Sequence, residues 1–213
     1  MMLLGKIQDE KYINDMYENE YLYFNSLKYF RSDSKDITGR LDPRELNTKN
    51  LQLKNLLIKK GDVEIELSEA LSNFSGQYME HPDDSTVSCC SLFTIDIDLN
   101  GVLSNVSDKA LEMGNKMLLI FDCLAFFKIL DESIVKCGYE YKRRPVIYYD
   151  PKTYNGDLTL HHKDLAFKFQ EEYRILIESK ENQPIKIPLP GLRNISVVID
   201  SMAAKTLELK QKQ

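Results

Sequence analysis

The residues in this chain with chemistry to offer at short spacing are Gln170, Glu171 and Glu172, within the stretch 164–178, DLAFKFQEEYRILIE. A carboxylate set beside apolar walls can be held at a raised pKa or aimed at a substrate. From Tyr173 onward the alternation Tyr-Arg-Ile-Leu-Ile is rich in β-branched and aromatic residues and predicts a strand. Glu172 then stands at the mouth of that strand, where a sheet can present polar side chains to a cleft. The competing reading makes Glu171, Glu172 and Arg174 the solvated edge of a strand, with a surface ion pair that contributes little.

Other side chains could hold a ligand near such a carboxylate. The loop 39–45, GRLDPRE, sets Arg40 and Arg44 near a glycine turn, and two guanidinium forks can grip a phosphate or carboxylate. The simpler alternative pairs them with their own Asp42 and Glu45. Tyr23, in an aromatic strand over 21–24, could stack on a planar ring if it is not core. Ser88 and Ser91 flank Cys89-Cys90 in the strand TVSCCSLFTIDI, and small residues there let a ligand or a second backbone approach. Lys142-Arg143-Arg144 is the strongest positive cluster. His161-His162 have no cysteine or carboxylate at metal-ligand spacing, so no metal is expected.

The surrounding elements follow from composition and periodicity. With 213 residues, 43% hydrophobic and 29% charged, the chain reads as one compact globular domain over 1–213. A net charge of −5 gives no general reason to expect nucleic-acid binding. Four cysteines without metal spacing fit reduced, buried thiols of a cytosolic protein. The longest apolar run, 117–127, is broken by Asp122 and too short to span a bilayer, so a cytoplasmic protein without a membrane partner is expected.

Helices are predicted within 6–20, on Tyr12, Ile13, Met16 and Tyr17 with Asp9 as N-cap, and over 107–114, capped by Ser107. A third, over 123–136, is capped by Asp122 and turns Leu124, Phe127, Leu130 and Ile134 to one face; a short one spans 202–209. Strands are predicted over 63–67 (after a Lys-Lys-Gly-Asp turn), 86–97, 117–121, 146–149, 173–177, 185–188 and 195–199, and 68–79 reads as loop or poor helix. Those at 117–121, 173–177 and 195–199 are expected to be central. Strands and helices mix without regular βαβ alternation, which points to an α+β fold, a mixed, mainly antiparallel sheet with flanking helices.

Three pieces, YLYFNSLKYF with GRLDPRE, the CCSLF strand and FQEEYRI, together resemble a group of uncharacterised bacterial and phage proteins. That group is weakly similar to the ADP-ribosyltransferase fold, in which a late strand opens with Gln-x-Glu or Glu-x-Glu. The resemblance implies a catalytic Glu172, which would stabilise an oxocarbenium-like transition state, and an acceptor-orienting Gln170. It also implies NAD as cofactor, with Tyr23, Arg40, Arg44, Ser88 and Ser91 as candidate contacts. The function implied is an NAD-dependent ADP-ribosyltransferase or NAD glycohydrolase, set in phage–host conflict. The alternative is a non-catalytic module that holds a nucleotide-like small molecule or a protein partner in the same cleft. Two departures stand out. The early strand offers only Lys6 where the family has Arg or His, and the middle strand has Ser88-Cys89-Cys90-Ser91 where the family has Ser-Thr-Ser.

Overall fold

The computed structural model describes residues 2–31, 41–53, 57–66, 76–80, 86–98, 101–104, 106–179 and 183–208. Its main sheet runs, in spatial order, Glu140–Pro145, Glu172–Glu178, Val87–Ile97, Met2–Gln8, Lys116–Ile120 and Ser196–Asp200. Every pairing along this path is antiparallel. With its flanking helices the molecule is the single, mainly antiparallel α+β domain that the mixed pattern of elements predicts.

The eleven residues of Val87–Ile97 organise the sheet because the strand is long enough to be shared. Glu172–Glu178 lies along one edge, from Val87 to Phe93. The other edge is divided, with Met2–Gln8 pairing Phe93 to Asp96 and Tyr21–Ser26 pairing only Ser88 and Cys89. Lys6 Nζ reaches across to the Ser91 carbonyl at 2.9 Å.

Side chains alternate across a strand, so register sorts them into two faces. Tyr173, Ile175 and Ile177 share one face with Cys90 and Leu92, and pack with Leu4, Leu118 and Ile120 against Phe126, Leu130 and Ile134 of the helix Cys123–Lys136. Glu172, Arg174 and Leu176 share the other face with Phe93, Ser91 and Cys89. That second face is also covered, by Leu27 and Leu46 at one end and a cluster around Leu111 and Met117 at the other. The strand is therefore buried on both sides, which its alternating sequence does not announce.

Several expectations need adjusting. The Asp122 side chain does cap its helix, accepting from the Ala125 N–H at 2.9 Å, and Ser107 accepts from Ala110 N–H. The buried stripe, however, is Phe126, Leu130 and Ile134, and Leu124 is 86% exposed. Two residues earlier on a helix is roughly 200° away, so Leu124 and Phe126 cannot share a face. In the helix Glu10–Glu18, Ile13 and Met16 are buried but Tyr12 is not, and Asn115 Oδ1 rather than Asp9 accepts from the first N–H. Ser196–Asp200 ends the strand order and is an edge rather than a central strand. Gly76–Glu80 is a strand, paired with Lys49–Leu53 in a three-stranded sheet. The hairpin of Leu57–Lys60 and Val63–Glu66 turns through Gly61 at φ 61°, yet Val63 and Ile65 are exposed, not core. The expected helix near the C-terminus is a 3-10 helix, Ser201–Thr206. Among the described residues no helix is long and apolar enough to cross a membrane.

Candidate functional site

Gln170 and Glu172 are brought together by the chain between them. The 3-10 helix Leu165–Gln170 is capped by Asp164, which accepts from Ala166 N–H, and it stops at Glu171 in the left-handed region, φ 39° and ψ 54°. That turn puts the two side chains on one partner. Lys163 Nζ donates to Gln170 Oε1 at 2.7 Å and to Glu172 Oε1 at 2.7 Å.

The other oxygen of Glu172 is held as well. Arg174 Nε and Nη2 donate to Glu172 Oε2 at 3.3 and 3.1 Å. The same guanidinium forks onto Glu45 at 2.7 and 3.2 Å and donates to the Leu160 carbonyl at 2.6 Å. Arg174 is 1% exposed and Glu45 4%. Burial pushes the Glu172 carboxyl up, but Lys163 and Arg174 outweigh it and hold it down to about 2. Arg174 is pushed the other way: burial disfavours its charge, while Glu45 and Glu172 raise it well above the usual arginine range. Glu172 is thus ionised at neutral pH with both oxygens engaged. The picture of a solvated strand edge gives way to a buried ion cluster, because the partners are Glu45, remote in the sequence, and Lys163, on the short strand His162–Asp164.

Around this core sits a second polar layer. Arg44 Nη1 pairs with Asp164 Oδ2 at 2.6 Å, while its Nε is buried without a hydrogen-bond partner. Asp42 is 1% exposed and its Oδ1 accepts from Arg44 N–H at 2.8 Å. Burial first, then the neighbouring Glu45, raise the Asp42 carboxyl to about 6. His161, 2% exposed, is lowered to about 4 by burial and by Arg144 and Arg174 nearby. The Tyr148 hydroxyl oxygen accepts from Glu172 N–H at 2.9 Å.

The candidate contacts separate accordingly. Arg44 reaches the cluster through Asp164, the neighbour of Lys163, and Ser91 stands directly across from Arg174 in register. Ser88 lies across from Ile177, on the opposite face, and its hydroxyl donates to the Gln183 carbonyl at 3.4 Å. Tyr23 is 38% exposed on a strand paired with Ile185–Pro188, with Lys186 as its register partner. Arg40 and His81 lie outside the described residues. In line with Glu172 and Phe93 the first strand offers Gly5, not Lys6. A Cβ there would come within 2.9 Å of Ile95 Cδ1, so this point of the face is filled by neighbours.

The basic run 142–144 is divided by strand alternation. Arg143 turns to the helix side, where it forks onto Asp131 at 2.9 and 2.8 Å, donates to Tyr173 and covers the Phe127 ring. Arg144 faces the other way and donates to Thr159. Lys163 and Asp164 are the site residues that sequence reasoning missed. Their only local sign was a Lys-Asp pair just before the 3-10 turn. Among the described residues no group of three His, Cys, Asp or Glu could hold a metal. No family model, no curated protein and no solved structure matches this chain.

Proposed function

We propose that this protein is a non-catalytic binding module for a nucleotide-like ligand, built on an ADP-ribosyltransferase-like plan whose key carboxylate has become part of the scaffold. The observation that carries this reading is the engagement of both Glu172 oxygens by Lys163 and Arg174. A carboxylate that stabilises a ribosyl cation must be free to face it, and a buried ion pair holds its geometry strongly. Arg44 is the ligand-holding group: its side chain is 35% exposed, and its guanidinium is oriented by the ion pair with Asp164, as suits a phosphate contact. A cytoplasmic location and a role in phage–host conflict are part of the same proposal, and rest on the sequence motifs GRLDPRE and FQEEYRI alone.

Calorimetric titration with NAD and ADP-ribose, beside an assay of NAD consumption, tests the reading. Binding without turnover, weakened about tenfold in Arg44→Ala, is the expected result. Turnover by the wild type that vanishes in a folded Glu172→Gln variant would replace it with the transferase reading. That second reading has one observation in its favour, the convergence of Gln170 and Glu172 on a single cation. A transition state with positive charge on the ribose would occupy the same electrostatic position if Lys163 withdrew. Neither binding nor turnover would end both readings.

A further inference from the structure

Glu171 makes no ion pair with the cluster that absorbs Glu172, and it lines an open depression of about 270 Å³ together with Val106, Ser107 and Phe169. From these four residues we infer that the depression binds a small organic cation of the methylated-ammonium or N-alkylpyridinium type. This inference stands apart from the nucleotide reading and uses none of its residues.

Three observations converge. The first is Glu171, which lines the depression and whose carboxylate has no ion-pair partner among the described residues. The second is how firmly it is placed. Glu171 occupies the left-handed region, which a residue with a Cβ adopts at a cost, and its carbonyl is fixed by two donors. Thr94 N–H and Thr94 Oγ1 reach it at 2.8 and 2.7 Å, and Glu171 N–H donates to the Lys168 carbonyl at 3.0 Å. The third is the ring of Phe169, whose face already takes a cation: Lys109 Nζ lies 4.1 Å from its centroid. The backbone under that ring is held by Ser107 Oγ, which donates to the Phe169 carbonyl at 3.2 Å.

One carboxylate, one aromatic face and an apolar wall from Val106 define the ligand chemistry. A bare metal ion needs several oxygen ligands, and the four lining residues include a single carboxylate. A cation whose charge is spread over methyl groups or a ring suits the combination, since it gains from the ring quadrupole and from apolar contact at once. Lys109 is then the internal competitor for the ring.

The test is a two-dimensional NMR titration of the ¹⁵N-labelled protein with tetramethylammonium chloride and with N-methylpyridinium chloride. Sodium chloride at matched ionic strength and neutral tert-butanol serve as controls. Saturable shifts at the amides of Val106, Ser107, Phe169 and Glu171 are expected with both cations and neither control. Glu171→Gln keeps the same backbone demand and removes the charge; it and Phe169→Leu should each raise the midpoint by roughly threefold or more. Lys109→Gln should lower the midpoint, whereas a site for anions would respond in the opposite sense. Shifts that grow linearly, match sodium chloride or tert-butanol, or ignore Phe169→Leu and Lys109→Gln would overturn the inference. The last two variants decide it even if Glu171→Gln does not fold.

Discussion

Lys163 and Glu172 form a 2.7 Å ion pair in which both side chains are more than nine-tenths buried, 4% and 7% exposed. Such a pair contributes little net stability when formed, because both ions lose water, but it is costly to break from one side. Glu172→Gln should therefore destabilise the protein by about 3–5 kcal/mol, and Lys163→Met by a similar amount. The double variant should recover much of the loss, since no buried charge of that pair is then left alone. Urea-denaturation midpoints of the two singles and the double close the cycle. Additive losses would show that the pair is not coupled.

The same carboxylate sets a limit in acid. Its pKa is depressed from 4.5 to about 2 in the fold, so its contribution is present above 4.5 and is lost as pH falls through about 2. Wild type should lose stability steeply over that window, and Glu172→Gln should lose less. Denaturation curves collected from pH 5 to pH 2 check this.

Asp42 and His161 oppose each other across milder acidity. Asp42 is raised from 3.8 to about 6, so its contribution is present below 3.8 and lost as pH rises through about 6. His161 is lowered from 6.5 to about 4, so its contribution is present above 6.5 and lost as pH falls through about 4. Between about pH 4.5 and 6 the two slopes have opposite sign, and wild-type stability should be nearly flat. Asp42→Asn keeps the acceptor for Arg44 N–H and removes one slope. The variant should be more stable at pH 7.5, by up to about 3 kcal/mol on the scale of 1.4 kcal/mol per pKa unit, and should weaken as pH falls from 6.5 to 4. A variant with the wild-type profile would remove Asp42 from the account.

At Glu171 stability and binding should part company. Glycine meets the left-handed conformation without a Cβ, so Glu171→Gly should raise the melting temperature, by about 0.5–1 kcal/mol in free energy. The same change should raise the tetramethylammonium midpoint by roughly threefold or more, as Glu171→Gln does. Calorimetric melting and the NMR titration read the two effects separately.

Core and surface are distinguished by two truncations. Ile175 is fully buried and Ile175→Ala should cost about 2–5 kcal/mol, whereas Leu124→Ala, at 86% exposure, should stay within about 0.5 kcal/mol. Thiol labelling makes a parallel distinction: in the native state Cys137 should react quickly and Cys89 and Cys90 slowly, since both are buried and Cys89 is pushed up to about 12 by that burial.

What the sequence revealed depended on how local the cause was. Caps at Ser107 and Asp122 are written within four residues, and the apolar alternation Tyr173, Ile175, Ile177 fixes one face of a strand. Glu172 and Arg174 fill the alternate positions of that strand, and alternation of this kind ordinarily means water on the polar side. Here Leu46, Glu45 and Lys163 cover that side, and nothing near residue 172 records it. Asp42, Arg44 and Glu45 read as a solvated loop for the same reason. The edge position of Ser196–Asp200 is likewise a matter of sheet order, which its apolar run does not encode.

The fork between Arg174 and Glu45 joins residues 129 positions apart. On the ribosome the two ends of that fork are made at very different times. The strands Met2–Gln8, Val87–Ile97 and Lys116–Ile120 can pair once the first 120 residues have emerged. Throughout that interval Glu45 has no guanidinium to meet. Only when the strand Glu172–Glu178 arrives can the half-built sheet accept its neighbour and bury the charges together. Contacts of such separation slow folding, so the nascent chain should linger as an open three-stranded intermediate with an acidic, hydrated flank.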